Sequence, residues 1–184
     1  TFTAANWNAP QTVTVTGVND DEQDGNQPFS IVTAAATSTD TGYDGLDAAD
    51  VTVSNTDNDS AGITVAVGAL LSVSEGSSVP ATFTVVLNAQ PTADVVIALS
   101  SSDSTEGTVS PASLTFTTTN WNAPQTVTVT GVNDDEQDGN QPFSIVTAAA
   151  TSTDTGYDGL DAADVAVSNT DNDSAGITVA VGGV

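Results

Sequence analysis

Apolar residues alternate with Thr and Ser through most of this chain. That spacing places successive side chains on opposite faces of an extended backbone and predicts half-buried β-strands, because helices repeat their apolar positions every three and four residues. Within the stretch 60–173 it predicts strands at 63–73, kinked at Gly68, and at 82–87, 95–99, 114–116, 126–132, 143–147 and 164–167. One face of these strands collects Phe83, Val85, Leu87, Val95, Ile97, Leu99, Leu114, Phe116, Val127, Val129, Phe143, Ile145, Val165 and Val167. Seven short strands with turns between them predict an all-β fold, an immunoglobulin-like antiparallel β-sandwich.

The strand pattern occurs more than once. Residues 1–70 recur as 115–184 with five differences, Ala4/Thr118, Ala5/Thr119, Thr52/Ala166, Ala69/Gly183 and Leu70/Val184. The shift of 114 residues, from Trp7 to Trp121, is too long for a solenoid coil and suits one sandwich. The expected organisation is therefore tandem: residues 1–59 as the C-terminal part of a truncated repeat, 60–174 as a complete one, and 175–184 as the first strand of another. Residues 1–59 carry only the end of the fourth strand and the last three, so their half-core needs a cover from preceding chain or from a neighbouring molecule.

Charge changes the picture next. The 184 residues include 24 Asp and Glu and no Lys, Arg or His, a net charge of −24. Disordered acidic tails lack such regular apolar alternation, so the acids belong to a folded chain whose counter-charge comes from outside. Phosphate recognition requires Lys or Arg, which excludes nucleic acid as a partner. The chain has no Cys, hence no disulfide, thiolate metal site or redox chemistry. No apolar run approaches the roughly 20 residues of a membrane span, so membrane insertion is not expected of this segment.

Antiparallel succession sorts the loops between two poles. One pole receives Glu75, then Asp103 and Glu106, then Asp134, Asp135, Glu136 and Asp138, and finally Asp171 and Asp173. Two like charges 4 Å apart cost about 1 kcal/mol in water and about 4 kcal/mol at an effective dielectric of 20. A hard divalent cation removes that penalty, and a ligand set of oxygens without His or Cys suits calcium rather than zinc or copper. An isolated acidic loop is as readily a solvated turn. Convergence of four segments is what singles out this pole, and the repeat carries the reading to Asp20, Asp21, Asp24, Asp57 and Asp59. The other pole holds residues 152–164 with Asp154, Asp158, Asp161 and Asp164, whose spacing does not match an EF-hand loop. A structured loop with a helical turn at 159–163 is expected there, with Asp161 solvated, and Tyr157 and Trp121 as packing residues.

Four segments carry a resemblance: Ser-Val-Ser-Glu-Gly at 72–76, Leu-Thr-Phe at 114–116, Val-Thr-Gly-Val-Asn-Asp-Asp-Glu-Gln-Asp-Gly at 129–139, and Thr-Asp-Asn-Asp-Ser-Ala-Gly-Ile at 170–177. The chain resembles the Calx-β family, calcium-binding sandwich domains of sodium–calcium exchangers and bacterial surface proteins. The resemblance implies a seven-stranded sandwich with an ion cluster beside the next domain, and calcium ligands at Glu75, Asp134, Asp138, Asp171 and Asp173. Departures from the family pattern are Asn172 inside the acidic triplet, Asn133 opening the 133–139 loop, Gln141 where a second Glu often falls, and no Asp-Tyr pair near Asp103 and Glu106. The last departure makes Asp103 and Glu106 the weaker candidates. Less ligand charge implies fewer ions or lower affinity, in the range of about 10⁻⁴–10⁻³ M that serves extracellular modules.

The absence of His, Cys, Lys and Arg leaves only a two-carboxylate glycosidase chemically open, so an enzyme is not expected. The favoured reading is a calcium-rigidified repeat of an extracellular or cell-surface stalk or adhesin extender, its partners the neighbouring repeats of its own chain. The alternative is a subunit of a self-assembling fibre whose partners are other copies. A glycan-binding module would need an exposed aromatic platform.

Overall fold

The computed structural model describes residues 1–77 and 79–180, and the chain divides into two compact units. The larger comprises residues 59–184 with a short insert, residues 21–23; the smaller comprises residues 1–20 and 24–58. The fold is all-β.

The larger unit is a sandwich built from β3 (Ile63–Ala66), β4 (Leu71–Ser74), β5 (Ala81–Leu87), β6 (Val95–Ser101), β7 (Gly107–Ser110), β8 (Ser113–Phe116), β9 (Gln125–Gly131), β10 (Gln141–Thr147) and β11 (Val165–Thr170); β1 (Gln27–Ile31) and β2 (Val51–Asn55) belong to the smaller unit. One sheet has the order β4-β11-β10-β6-β8 and the other β3-β5-β9-β7. Between them lies a core that includes Phe83, Val85, Ile97, Leu114, Phe116, Val127, Val129, Ile145 and Val167, the alternate positions of the strands. Each such side chain, fully buried, contributes about 1.5–3 kcal/mol relative to exposure.

One of the expected strands divides between the sheets, and another is preceded by a strand that was not expected. The first breaks around Gly68 into β3, antiparallel to β5, and β4, parallel to β11. The fourth is preceded by β7, which the alternation did not signal because Gly107–Ser110 offers a single apolar residue, Val109. β7 pairs with β9 and β8 with β6, so the chain crosses between sheets at 111–112. The last strand extends beyond its expected end to Thr170.

In the smaller unit β1 and β2 form an antiparallel pair. Their register, Phe29 opposite Val53, repeats that of β10 and β11, Phe143 opposite Val167. Residues 12–18, identical to 126–132, carry no strand although one was expected. In the larger unit β9 lies between β5 and β7, and the smaller unit has no counterpart of either among the described residues. Side chains respond in the same way: Tyr43 is 60% exposed where Tyr157 is 1%, and Val51 is 55% exposed where Val165 is 3%. Residues 175–180 carry no strand, with Ile177 and Val179 exposed, and residues 181–184 lie outside the described ones.

Candidate metal centre

Parallel pairing of β4 with β11 brings two strand ends to the same pole. Ser74 lies beside Thr170, the amide of Glu75 donates to the Thr170 carbonyl at 3.1 Å, and Glu75 therefore stands next to Asp171. Pairing of β7 with β9 does the same for a second set: Gly107 lies opposite Gly131, so Glu106, one residue earlier, is beside Val132 at the mouth of the 132–140 loop. The Val132 amide donates to the Glu106 carbonyl at 3.0 Å.

Two groups of carboxylates result, Glu75 with Asp171 and Asp173, and Glu106 with Asp134 and Asp138, each offering oxygens within 4.8 Å of one another. Calcium bonds oxygens at 2.3–2.6 Å, so two ligands of one ion stand at most about 5 Å apart. The spacing fits. Glu75 is buried, Glu106 nearly so, Asp134, Asp171 and Asp173 partly, and Asp138 is exposed. Glycines make room for this geometry: Gly76 has φ +64, and a Cβ there would meet the amide of Asn172 at 2.8 Å.

The loops are held by their own backbone. Gly139 donates to Asp171 Oδ2 at 2.8 Å, Asp173 N–H to Asp171 Oδ1 at 2.7 Å, and Glu136 N–H to Asp134 Oδ1 at 2.8 Å. Asn172 Nδ2 donates to Asn133 Oδ1 at 2.8 Å, tying the 170–173 segment to the 132–140 loop. Burial raises the pKa of the Glu75 carboxyl; the Asn172 N–H pulls it down, and Asp134, Asp171 and Asp138 push it up again. Asp173 is raised in the same way by burial and by Asp171, Asp135, Asp134 and Asp138. Its Oδ2 is buried without a hydrogen-bond partner, a state that costs a carboxylate dearly unless a cation or proton satisfies it. An oxygen-only donor set with such an orphaned atom fits a hard cation.

The remaining candidates lie elsewhere. Asp103 is spent on its own turn, accepting from the Thr105 amide at 3.0 Å and hydroxyl at 2.5 Å, and that donation lowers its pKa. Asp135 is exposed and joins neither group, although its charge bears on Asp173. Of the two residues read as weaker, Glu106 is thus in a group and Asp103 is not. Asp20, Asp24, Asp57 and Asp59 belong to no group of three among the described residues, and neither does Asp21, whose carbonyl accepts from Gln90 at 2.6 Å. Asp57 keeps the loop bond of its counterpart Asp171, accepting from Gly25 at 2.7 Å.

Asn169 is the participant that the sequence reading missed. It follows Val165 and Val167 at the inward period of β11 and is fully buried. A polar residue at an inward position was the signal that could have found it. Its Nδ2 reaches Glu75 Oε1 at 3.5 Å, Glu106 Oε2 at 3.3 Å and the Val132 carbonyl at 2.9 Å.

At the opposite pole the helical turn falls at 153–159, before the expected 159–163, because Asp154 starts it: Gly156 donates to Asp154 Oδ1 at 2.8 Å and Asp158 N–H to the Asp154 carbonyl at 2.9 Å. Asp154 Oδ2 also accepts from Thr92 at 2.7 Å, and Asp164 Oδ1 from Thr147 at 3.0 Å. Asp161 is exposed. Tyr157 is buried, its hydroxyl donating to the Ala89 carbonyl at 2.6 Å, and Trp121 packs on the core.

No family model matches the chain, and no curated protein matches it. Solved structures that match include the S-layer protein SbsC. Its domains 4 and 5 align at 19% identity and TM-score 0.36 over 65% of this chain and 58% of that one. Its domains 1–6 align at 21% and 0.38, over 70% and 15% of the two chains. A further SbsC structure, covering residues 31–844 of that protein, aligns at 24% and 0.37, over 71% and 16%. The match thus spans less than two thirds of each of these proteins. No helix among the described residues is long and apolar enough to cross a membrane.

Proposed function

We propose that the chain is a calcium-rigidified structural repeat of an extracellular stalk or adhesin extender, without enzymatic activity, and a Calx-β-like sandwich. The observation that carries the reading is the pair of carboxylate groups at one pole, with the buried, unpartnered Asp173 Oδ2 in one of them. Glu75 and Glu106, fixed beside strand ends, supply rigid ligands, and Asp134, Asp138, Asp171 and Asp173 come from segments that close over the ion. A cation held there neutralises repulsion and fixes the loops that border the next repeat, which starts at Ala175. Gln137 Oε1 already accepts from the Ala175 amide at 2.8 Å, so the ion-binding loop and the start of that repeat are joined.

Calorimetry of the chain in calcium against EDTA tests this. Saturation at 100 times the dissociation constant stabilises the fold by about 2.7 kcal/mol. The melting temperature of the larger unit rises accordingly, and Asp171→Asn with Asp173→Asn removes most of the rise while Asp161→Asn leaves it. Coincident melting curves with and without calcium would end the reading.

A second reading, a subunit of a self-assembling fibre, is favoured by the smaller unit, where Phe2, Trp7 and Tyr43 line an open groove and are more than half exposed. Of their counterparts in the larger unit, Phe116 and Tyr157 are buried and Trp121 is partly buried. Concentration-dependent association that buries Trp7 fluorescence supports it.

A further inference from the structure

We infer that the groove of the smaller unit is a docking site for an extended polypeptide segment, and that its ligand is the segment corresponding to residues 87–97 of another copy of this repeat. The inference names the partner of the groove on which the second reading above rests. Phe2, Trp7, Thr37, Ser38, Asp40 and Tyr43 line that groove, and their counterparts 114 residues on are Phe116, Trp121, Thr151, Ser152, Asp154 and Tyr157. In the larger unit residues 87–96 lie across those counterparts.

Leu87 N–H donates to the Trp121 carbonyl at 3.1 Å, and Val96 and Thr151 exchange main-chain bonds at 3.0 and 2.9 Å. The Tyr157 hydroxyl donates to the Ala89 carbonyl at 2.6 Å and accepts from the Ala89 amide at 3.1 Å. Thr92 N–H donates to Asp154 Oδ2 at 2.7 Å, and Ser152 Oγ to the Asp94 carbonyl at 2.9 Å. All of these bonds use the backbone of the segment, so they fix its path, and side-chain choice is left to the positions that bury Leu87, Ala89, Pro91 and Val95. Extended peptides are recognised in this way, with main-chain bonds for affinity and pockets for specificity. Asp94 is the one charge in residues 87–97, which suits a ligand for a chain of net charge −24.

Both copies of the loop that shapes the surface are built alike. Ala36 N–H donates to the Leu46 carbonyl at 2.7 Å and Gly45 N–H to the Ala36 carbonyl at 2.8 Å, as Ala150 and Gly159 do at 2.9 and 2.8 Å. Gly42 N–H donates to Asp40 Oδ1 at 2.8 Å, and Gly156 to Asp154 Oδ1 at the same distance. A surface that needs no rearrangement loses less on binding. Among the lining residues Ala4 alone differs from its counterpart, Thr118, and Thr118 meets the segment through its carbonyl, which accepts from Gln90 Nε2 at 3.1 Å.

The test titrates the full chain, at a concentration where sedimentation shows single copies, with a capped synthetic peptide of residues 87–97 while tryptophan emission is followed. The peptide shifts the emission to the blue, and Trp7→Phe removes the shift. Tyr43→Phe deletes one exposed hydroxyl and the main-chain bonds it would make, and weakens binding about tenfold. A peptide carrying Pro91→Asp does not bind, because it would bury an unpaired charge. Unmoved emission, equal binding of a scrambled peptide, or an affinity unchanged by Tyr43→Phe overturns the assignment. A groove that answers to maltohexaose and not to the peptide overturns it in favour of a carbohydrate. Self-association separates this inference from the fibre reading. Peptide binding by a chain that stays monomeric at every concentration ends the fibre reading and leaves the docking site, whereas association that the peptide neither joins nor blocks does the reverse.

Discussion

Asp154 shows how a single acid in this chain is used without any metal. Burial raises its pKa, but donation from the Thr92 and Gly156 amides more than offsets that, and the net direction is down. A carboxyl depressed in the folded state contributes stability that is present above its unfolded pKa of about 3.9 and is lost as pH falls through the lower folded value. Asp154→Asn therefore lowers the melting temperature at pH 7, and the gap from wild type closes below about pH 4. A gap of constant size from pH 7 to pH 3 would show that shape, not charge, is what Asp154 supplies. Gly107 makes the complementary point about space. A Cβ there would lie 2.2 Å from Phe143 Cζ, so Gly107→Ala forces the ring out of the core. Overpacking of this kind costs about 1–3 kcal/mol, which a shift in the urea midpoint measures. Both residues bear on legibility. Carboxylates and glycines are visible in the sequence, but which acid caps a turn and which glycine abuts a ring depends on pairings hundreds of possible registers would permit.

At the scale of the element, alternation located the strands of the larger unit well where two or more apolar residues stood on the inward face: β5, β6, β8, β9 and β10 lie within a few residues of expectation. It could not say which sheet each strand joins. The break at Gly68 was visible as a kink, yet the parallel pairing of β4 with β11, which sets Glu75 beside Asp171, is a tertiary fact. β7 was invisible for want of apolar residues, and with it went the reason why Glu106 is held inside a carboxylate group and Asp103 outside it. The identical segments 12–18 and 126–132 show most plainly that a strand is a partnership: one carries β9 and the other no strand, from the same seven residues. Hydrogen exchange makes this measurable. Amides at Val127 and Val129, inside a sheet with both neighbours present, exchange slowly, whereas those at Val13 and Val15 exchange at rates near those of an open chain. Equal protection in the two copies would mean that residues 12–18 find a sheet after all.

For the whole molecule the dominant quantity is charge. Twenty-four acids without one Lys, Arg or His repel one another at every separation shorter than the Debye length, about 10 Å at 0.1 M salt and 3 Å at 1 M. Two remedies act on different parts of that repulsion. Monovalent salt screens exposed acids such as Asp135, Asp138 and Asp161, which face solvent, but reaches the buried Glu75 and the enclosed Oδ2 of Asp173 poorly. A bound divalent ion does the reverse, since it sits among the enclosed oxygens and leaves the outer surface charged. The two effects should therefore add rather than replace each other. Raising sodium chloride from 0.1 to 1 M in EDTA raises the melting temperature, and calcium at saturating concentration raises it further at both salt levels by a similar amount. Magnesium gives little of the calcium increment, because irregular carboxylate groups do not meet its requirement for tight octahedral geometry. If 1 M salt abolishes the calcium increment, or magnesium reproduces it in full, the ion acts only as a diffuse counter-charge and the two groups at the pole are surface acids.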